Sequence, residues 1–79
     1  MAPKSQILEE AGYSYSFDLK IYINRNAKKV FSVEFVQDHS GDELRKRIIQ
    51  DTEGDEWQLN FNSEPSPGVK RELESILLG

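Results

Sequence analysis

From Tyr13 to Asn24 the residues alternate without a break. Tyr13, Tyr15, Phe17, Leu19, Ile21 and Ile23 share one parity, and Ser14, Ser16, Asp18, Lys20, Tyr22 and Asn24 share the other. A period of two over this length predicts one long strand with a buried face and a wet face. Asn24 to Lys28 reads as a turn, because asparagine tolerates left-handed backbone. Lys29 to Val36 then predicts a second strand, with Phe31, Val33 and Phe35 facing inward and Val30, Ser32, Glu34 and Val36 outward. The two strands predict a hairpin.

The period changes at Ser40. Ser40-Gly41-Asp42-Glu43 has the spacing of a capping box. Behind it Leu44 and Ile48 lie one turn apart, so a helix is predicted to about Thr52. Asp42 with Lys46, and Glu43 with Arg47, are i,i+4 pairs of favourable orientation. Glu53-Gly54-Asp55 breaks the helix. Glu56 to Asn62 predicts a third strand with Trp57, Leu59 and Phe61 inward. Ser66-Pro67 suits an N-cap and first helical residue. Val69, Leu73, Ile76 and Leu77 then form the apolar stripe of a last helix. Near the start, Ser5 could cap a short helix through Ile7, Leu8 and Ala11 that Gly12 ends; Met1 to Gln6 is expected to fray.

The predicted order is (α)ββαβα, an α+β fold. A helix between the second and third strands makes them parallel. The least costly arrangement sets the third strand beside the first, giving a three-stranded sheet of order 2-1-3 described as antiparallel, with two helices on one face. The opposite face is then open to solvent. The predicted core is Phe17, Leu19, Ile21, Phe31, Val33, Trp57, Leu59, Leu73 and Ile76.

Length makes this one small domain, residues 1–79. A chain this short buries roughly 60–65% of its unfolded surface, which leaves little room for a deep enclosed pocket. There is no cysteine, so disulfides, thiolate catalysis and cysteine-based metal sites are excluded. A reducing, cytoplasmic setting is the expectation. The opening MAPKSQILEE does not read as a secretory signal, and no apolar run is long enough for a bilayer. The net charge of −4 opposes binding to polyphosphate or to an anionic membrane.

Candidate chemistry is sparse. His39 is the one histidine, and Asp38-His39-Ser40 are chain neighbours whose side chains do not converge as a triad does. Asp51, Glu53 and Asp55 alternate around Gly54 but fail calcium-loop spacing, since position six from Asp51 is Glu56 and position twelve is Asn62. The isolated glycines at 12, 41, 54, 68 and 79 form no phosphate-binding loop. No catalytic residue, metal or cofactor is expected. Basic clusters occur at Arg25, Lys28 and Lys29, at Arg45-Lys46-Arg47, and at Lys70-Arg71. They support weak nucleic-acid binding as an alternative, but only Tyr22 is an aromatic predicted to face outward among them, where an RNA-binding sheet needs several. The functional expectation is a non-catalytic domain that binds a protein partner, or a second copy of itself, through the open sheet face or edge. The surface is centred on Tyr22 and flanked by Lys20, Val30 and Ser32, with Arg25, Lys28 and Lys29 steering an acidic partner from the turn.

Overall fold

A computed structural model describes residues 3–50 and 57–78. Its elements are α1 (Lys4–Glu10), β1 (Ser14–Ser16), β2 (Ile21–Asn24), β3 (Lys29–Ser32), α2 (Val33–Asp38), α3 (Gly41–Ile49), β4 (Gln58–Asn60) and α4 (Pro67–Leu78). The class is α+β, but the sheet has four strands in the order β1-β2-β3-β4, with β4 parallel to β3 and the other pairs antiparallel.

Three expectations are corrected. The alternating stretch from Tyr13 is not one strand: it folds back on itself as the β1–β2 hairpin, with Tyr15 opposite Tyr22 and Ser16 opposite Ile21. The turn between them contains no glycine, asparagine or proline, and Lys20 takes the left-handed conformation (φ 54°). Because antiparallel partners here have opposite parity, the hairpin reverses the odd positions. Tyr13 and Tyr15 lie on one face of the sheet, and Ile21 and Ile23 on the other. The Lys29–Val36 stretch is likewise two elements. Ser32 Oγ accepts a hydrogen bond from the Phe35 backbone N–H at 3.1 Å, an N-cap that converts the chain from strand to α2. Finally, β4 is parallel to the preceding strand as expected, but pairs with it directly rather than with the first strand. The 2-1-3 order is thereby replaced.

Apolar side chains cover both faces. On one, Leu8, Tyr13, Phe31, Phe35, Val36 and Leu44 form a buried cluster under α1, α2 and α3, with Tyr22 and Ile48 packed against it. On the other, Ile21, Val30 and Leu73 are buried beneath α4, flanked by Ile23, Trp57, Phe61 and Val69. Adjacent residues of one strand, Val30 and Phe31, thus belong to two different cores. The open face expected from the sequence is occupied by α4. Phe17 (84% exposed) and Leu59 (47%) fall outside the core, while Val30, expected on the surface, is wholly buried.

Two of the three expected caps are present; α1 instead begins at Lys4 behind Pro3 with no side-chain cap, so Ser5 lies inside the helix and the expected fraying does not extend to Gln6. Ser40 Oγ accepts from the Glu43 N–H at 3.2 Å at the start of α3, and Ser66 Oγ from the Val69 N–H at 3.4 Å at the start of α4. Gly12, at φ 94°, ends α1, where Tyr13 N–H reaches back to the Leu8 carbonyl. In α3, Arg47 pairs with Glu43 as expected at 3.7 Å, whereas Asp42 pairs with Arg45 at 3.6 Å. Ile49, the last residue of α3, is exposed.

The end of α3 has an unusual fastening. Lys29, expected at the surface, is 3% exposed. Its Nζ donates to the carbonyl oxygens of Arg47, Ile48 and Gln50 at 2.7, 2.7 and 2.5 Å. The last carbonyls of a helix have no intrahelical donor, and an ammonium with three protons meets that need while complementing the helix dipole. Lys29 is also the first residue of β3, so the bond set ties the crossover helix to the centre of the sheet. Methionine fills similar volume without donors and would strand those carbonyls. Lys29→Met is expected to lower stability by about 1–3 kcal/mol, read as a lower urea midpoint with an unchanged denaturant slope. An unchanged midpoint would show that the fastening is dispensable.

Candidate functional site

With both faces covered, the sheet presents its edges. Among the described residues β1 pairs with β2 on one side and with no strand on the other, so the outer edge of Ser14–Ser16 can accept another chain. Three rings cluster beside this edge. Tyr15 and its cross-strand partner Tyr22 lie 5.0 Å apart between centroids at a tilt of 46°. Phe17, at the start of the turn, meets Tyr15 edge-to-face at 5.4 Å and 72°. Tyr22 is half-buried against the α1 side of the core. Tyr15 is 40% exposed and Phe17 84%. The cluster is therefore a ledge, rooted at Tyr22 and opening to solvent at Phe17.

Local geometry holds this ledge in place. The Val33 N–H donates to the Lys20 carbonyl at 3.0 Å, which fixes the turn to the start of α2. Burial, then Tyr15, then the Glu9 carboxylate push the Tyr22 phenol above its ordinary value. Glu9, on α1, therefore lies within electrostatic reach of the Tyr22 phenol. Asp18 follows Phe17 and is exposed. Lys20, at the end of the turn, lines a cleft with Ile21, Ser32, Phe61 and Val69 on the α4 side of the sheet.

The residues expected to form the partner surface do not share one. Tyr22 belongs to the ledge. Val30 and Ser32 project from the sheet face opposite to it, Val30 into the α4 core and Ser32 as the cap of α2. Lys29 is buried beneath α3. Lys20 closes the β1–β2 turn. Arg25 is exposed and Lys28 half-buried at the β2–β3 turn, where Lys28 takes φ 56° and Asn24 Oδ1 accepts from the Ala27 N–H at 3.0 Å. Tyr15 and Phe17 were missed. The signal that could have found them is a run of large aromatics at 13, 15 and 17, too bulky for one face of a three-residue edge strand to bury completely.

The other groups singled out by sequence are engaged elsewhere. His39 Nδ1 lies 2.9 Å from the Phe35 carbonyl, with its ring stacked on that of Phe35 at 3.8 Å. Asp38 accepts a hydrogen bond from the Asn62 side chain, and Ser40 caps α3. Arg47 lies over the Phe35 ring at 5.0 Å and reaches the buried Asn60 at 3.3 Å, while Asn60 Nδ2 donates to the Val30 carbonyl. Asp51, Glu53 and Asp55 lie outside the described residues. No group of three or more histidine, aspartate or glutamate side chains is placed to hold a metal among the described residues, and no helix among them is long and apolar enough to cross a membrane.

A second cleft, of about 590 Å³, runs between β4 and α4 and is lined by Leu59, Phe61, Leu73 and Leu77. Its rim carries the Lys70–Glu64 pair at 2.7 Å, which holds the Glu64 carboxyl below the usual carboxylate range. Compared with β1, it has a less exposed aromatic surface.

Tyr13 roots β1 in the core, and its behaviour tests that placement. Burial pushes its phenol from the ordinary value of about 10 up to about 12, and its hydroxyl has no hydrogen-bond partner among the described residues. The folded state therefore resists ionisation that the unfolded chain undergoes freely. Stability from this source is complete below pH about 10 and is lost as pH rises toward about 12. Tyr13→Phe is expected to match or exceed the parent in stability at neutral pH and to lose less stability over that alkaline window. Tyr22, shifted in the same direction, leaves a residual slope. Thermal melts between pH 9 and 12 check this.

No protein-family model matches the chain, and neither a curated protein nor a solved structure matches it.

Proposed function

We propose that this chain is a non-catalytic protein-interaction domain that receives a partner at the outer edge of β1, beside the ledge of Tyr15, Phe17 and Tyr22. The observation that carries this reading is Phe17, a phenylalanine 84% exposed at the end of an unpaired edge strand. Removing one such ring from water is worth about 1.5–3 kcal/mol. An edge strand supplies the backbone hydrogen bonds, and the rings supply the anchors typical of interface hot spots. The orientation of the ledge supports the same reading. Tyr22 is fixed in the core and Tyr15 leans on it, so little side-chain freedom is lost when a partner covers them.

Nucleic-acid binding receives less support. Lys29 is buried, Arg47 is turned onto Phe35 and Asn60, Arg45 pairs with Asp42 and Lys70 with Glu64. The basic residues of the sequence thus lie at separate places and do not line the aromatic ledge.

The test is selection of displayed random peptides on the parent protein, followed by binding to a Tyr15→Ser/Phe17→Ser variant. Both side chains are exposed, so the variant is expected to keep its circular dichroism spectrum and melting temperature to within a few degrees. Selected peptides are expected to adopt extended structure and to lose at least about tenfold in affinity for the variant. Peptides that bind parent and variant equally would move the site away from β1. A dimer of the parent that the same substitutions disperse would identify a second copy as the occupant of this edge.

A further inference from the structure

The two sides of the β1 edge differ in chemistry, and a strand added there must present alternate side chains to both. On the α1 side lie the rings of Tyr15, Phe17 and Tyr22. Tyr15 and Phe17 are inclined at 72° with centroids 5.4 Å apart, and Tyr22 continues the surface 5.0 Å beyond Tyr15. Such an open aromatic corner offers ring faces to a cation. Glu9 stands within electrostatic reach of Tyr22, and Asp18 follows Phe17. Lys20, at the end of the turn, lines a separate cleft with Ser32, Phe61 and Val69 on the α4 side. The protein as a whole carries a net charge of −4.

On the α4 side the edge is different. Ser14 and Ser16 project there opposite Ile23 and Ile21. Being small, they leave a cleft of about 550 Å³, lined also by Gly12, Ile23 and Ile76. Asn24, Arg25 and Asn26 also line it; an aliphatic side chain on the incoming strand packs there against Ile23 and Ile76, whereas a second lysine or arginine would be desolvated beside the like charge of Arg25.

From these two sides we infer that the β1 edge is a receptor for an extended segment of another protein in which cationic residues alternate with aliphatic ones. The lysine or arginine side chains lie over the Tyr15–Phe17 corner toward Glu9, and the aliphatic side chains enter the cleft beside Ser14 and Ser16. The inference rests on the edge-binding function proposed above and adds the chemistry of the partner. Acetylation of a partner lysine removes the charge that the rings and Glu9 recognise.

The experiment titrates the intact protein with a short peptide of alternating lysine and valine, followed by amide chemical shifts and by fluorescence anisotropy. Two control peptides have every lysine acetylated or every lysine replaced by glutamate. The lysine–valine peptide is expected to bind saturably and shift the amides of Ser14 to Phe17. Both controls are expected to bind about tenfold more weakly or worse. Glu9→Gln is expected to weaken the lysine–valine peptide and flatten the salt dependence of its binding, without moving the melting temperature. Equal binding of the acetylated peptide at the same amides would overturn the cation preference while leaving the edge as the binding site. Failure of the lysine–valine peptide to bind, where peptides selected by display do bind at β1, would do the same. Saturable binding that shifts amides elsewhere and survives Tyr15→Ser/Phe17→Ser would overturn both the partner chemistry and the edge.

Discussion

The ammonium of Lys29 connects the first residue of the central strand to the last carbonyls of the crossover helix, and the remaining architecture is arranged around that connection. A short parallel pair such as β3 and β4 needs a helical crossover held against one face of the sheet. Here α3 reaches that face with a modest apolar surface, Leu44 buried and Ile48 partly so. The polar contacts of its last two turns supplement it. Lys29 satisfies its terminal carbonyls, and Arg47 reaches Asn60 of β4 while lying over Phe35 of α2. A charged side chain buried for this purpose must find complete hydrogen bonding, because an unmatched ammonium in the interior is far more costly than an exposed one. The helix end provides it.

With the crossover fixed on one face, α4 takes the other. Val30 and Phe31, neighbours at the centre of the sheet, feed two separate cores. Both faces of the sheet are thus covered, and what remains accessible is its edges and clefts. The two edges are unlike. β4 lies beside the α4 cleft, where Glu64 and Lys70 pair at the rim. β1 is the outermost strand of a hairpin whose turn begins with an exposed phenylalanine, Phe17, and ends with a left-handed lysine, Lys20. A positive φ at a non-glycine residue costs of order 1 kcal/mol, and the Val33 bond to the Lys20 carbonyl offsets part of that cost. The strained turn and the exposed ring support the proposed role of β1 as the receiving edge.

Much of this was legible in the sequence and some was not, for identifiable reasons. The helix starts at Ser40 and Ser66 and the stop at Gly12 were readable because capping chemistry is local: one side chain and one backbone conformation decide it. The parallel relation of β4 to β3 followed from an intervening helix. The β1–β2 turn was hidden because Phe17-Asp18-Leu19-Lys20 preserves the alternation of its flanks, and no residue there announces left-handed backbone. Once that turn is missed, Tyr13 and Ile21 are assigned to one face when they belong to opposite faces, and the sheet seems to have an open side. The start of α2 was partly legible. Ser32 followed by Phe35 and Val36 suits a capped helix, but Phe31, Val33 and Phe35 alternate as a strand does, and the stretch reads as one. Lys29 could not have been read as buried at all. A lysine at a turn is ordinarily exposed, and only the arrival of α3's carbonyls from residues 47 to 50 gives it an interior role. Tyr22 was recognised as an aromatic of interest, while Phe17 was assigned to the core and Tyr15 to the buried face by the same parity error.

Native-state amide hydrogen exchange tests most directly the claim that this sheet is closed on both faces and open at β1. The account predicts the slowest exchange at Val30 and Phe31, which sit in the strand paired on both sides, and fast exchange at the outward-facing amides of Ser14–Ser16 in the free protein. It also predicts that those β1 amides gain protection when an extended partner is added. Protection of the outward β1 amides in the free protein comparable to that of Val30 and Phe31 would contradict it, because the edge would then already be covered.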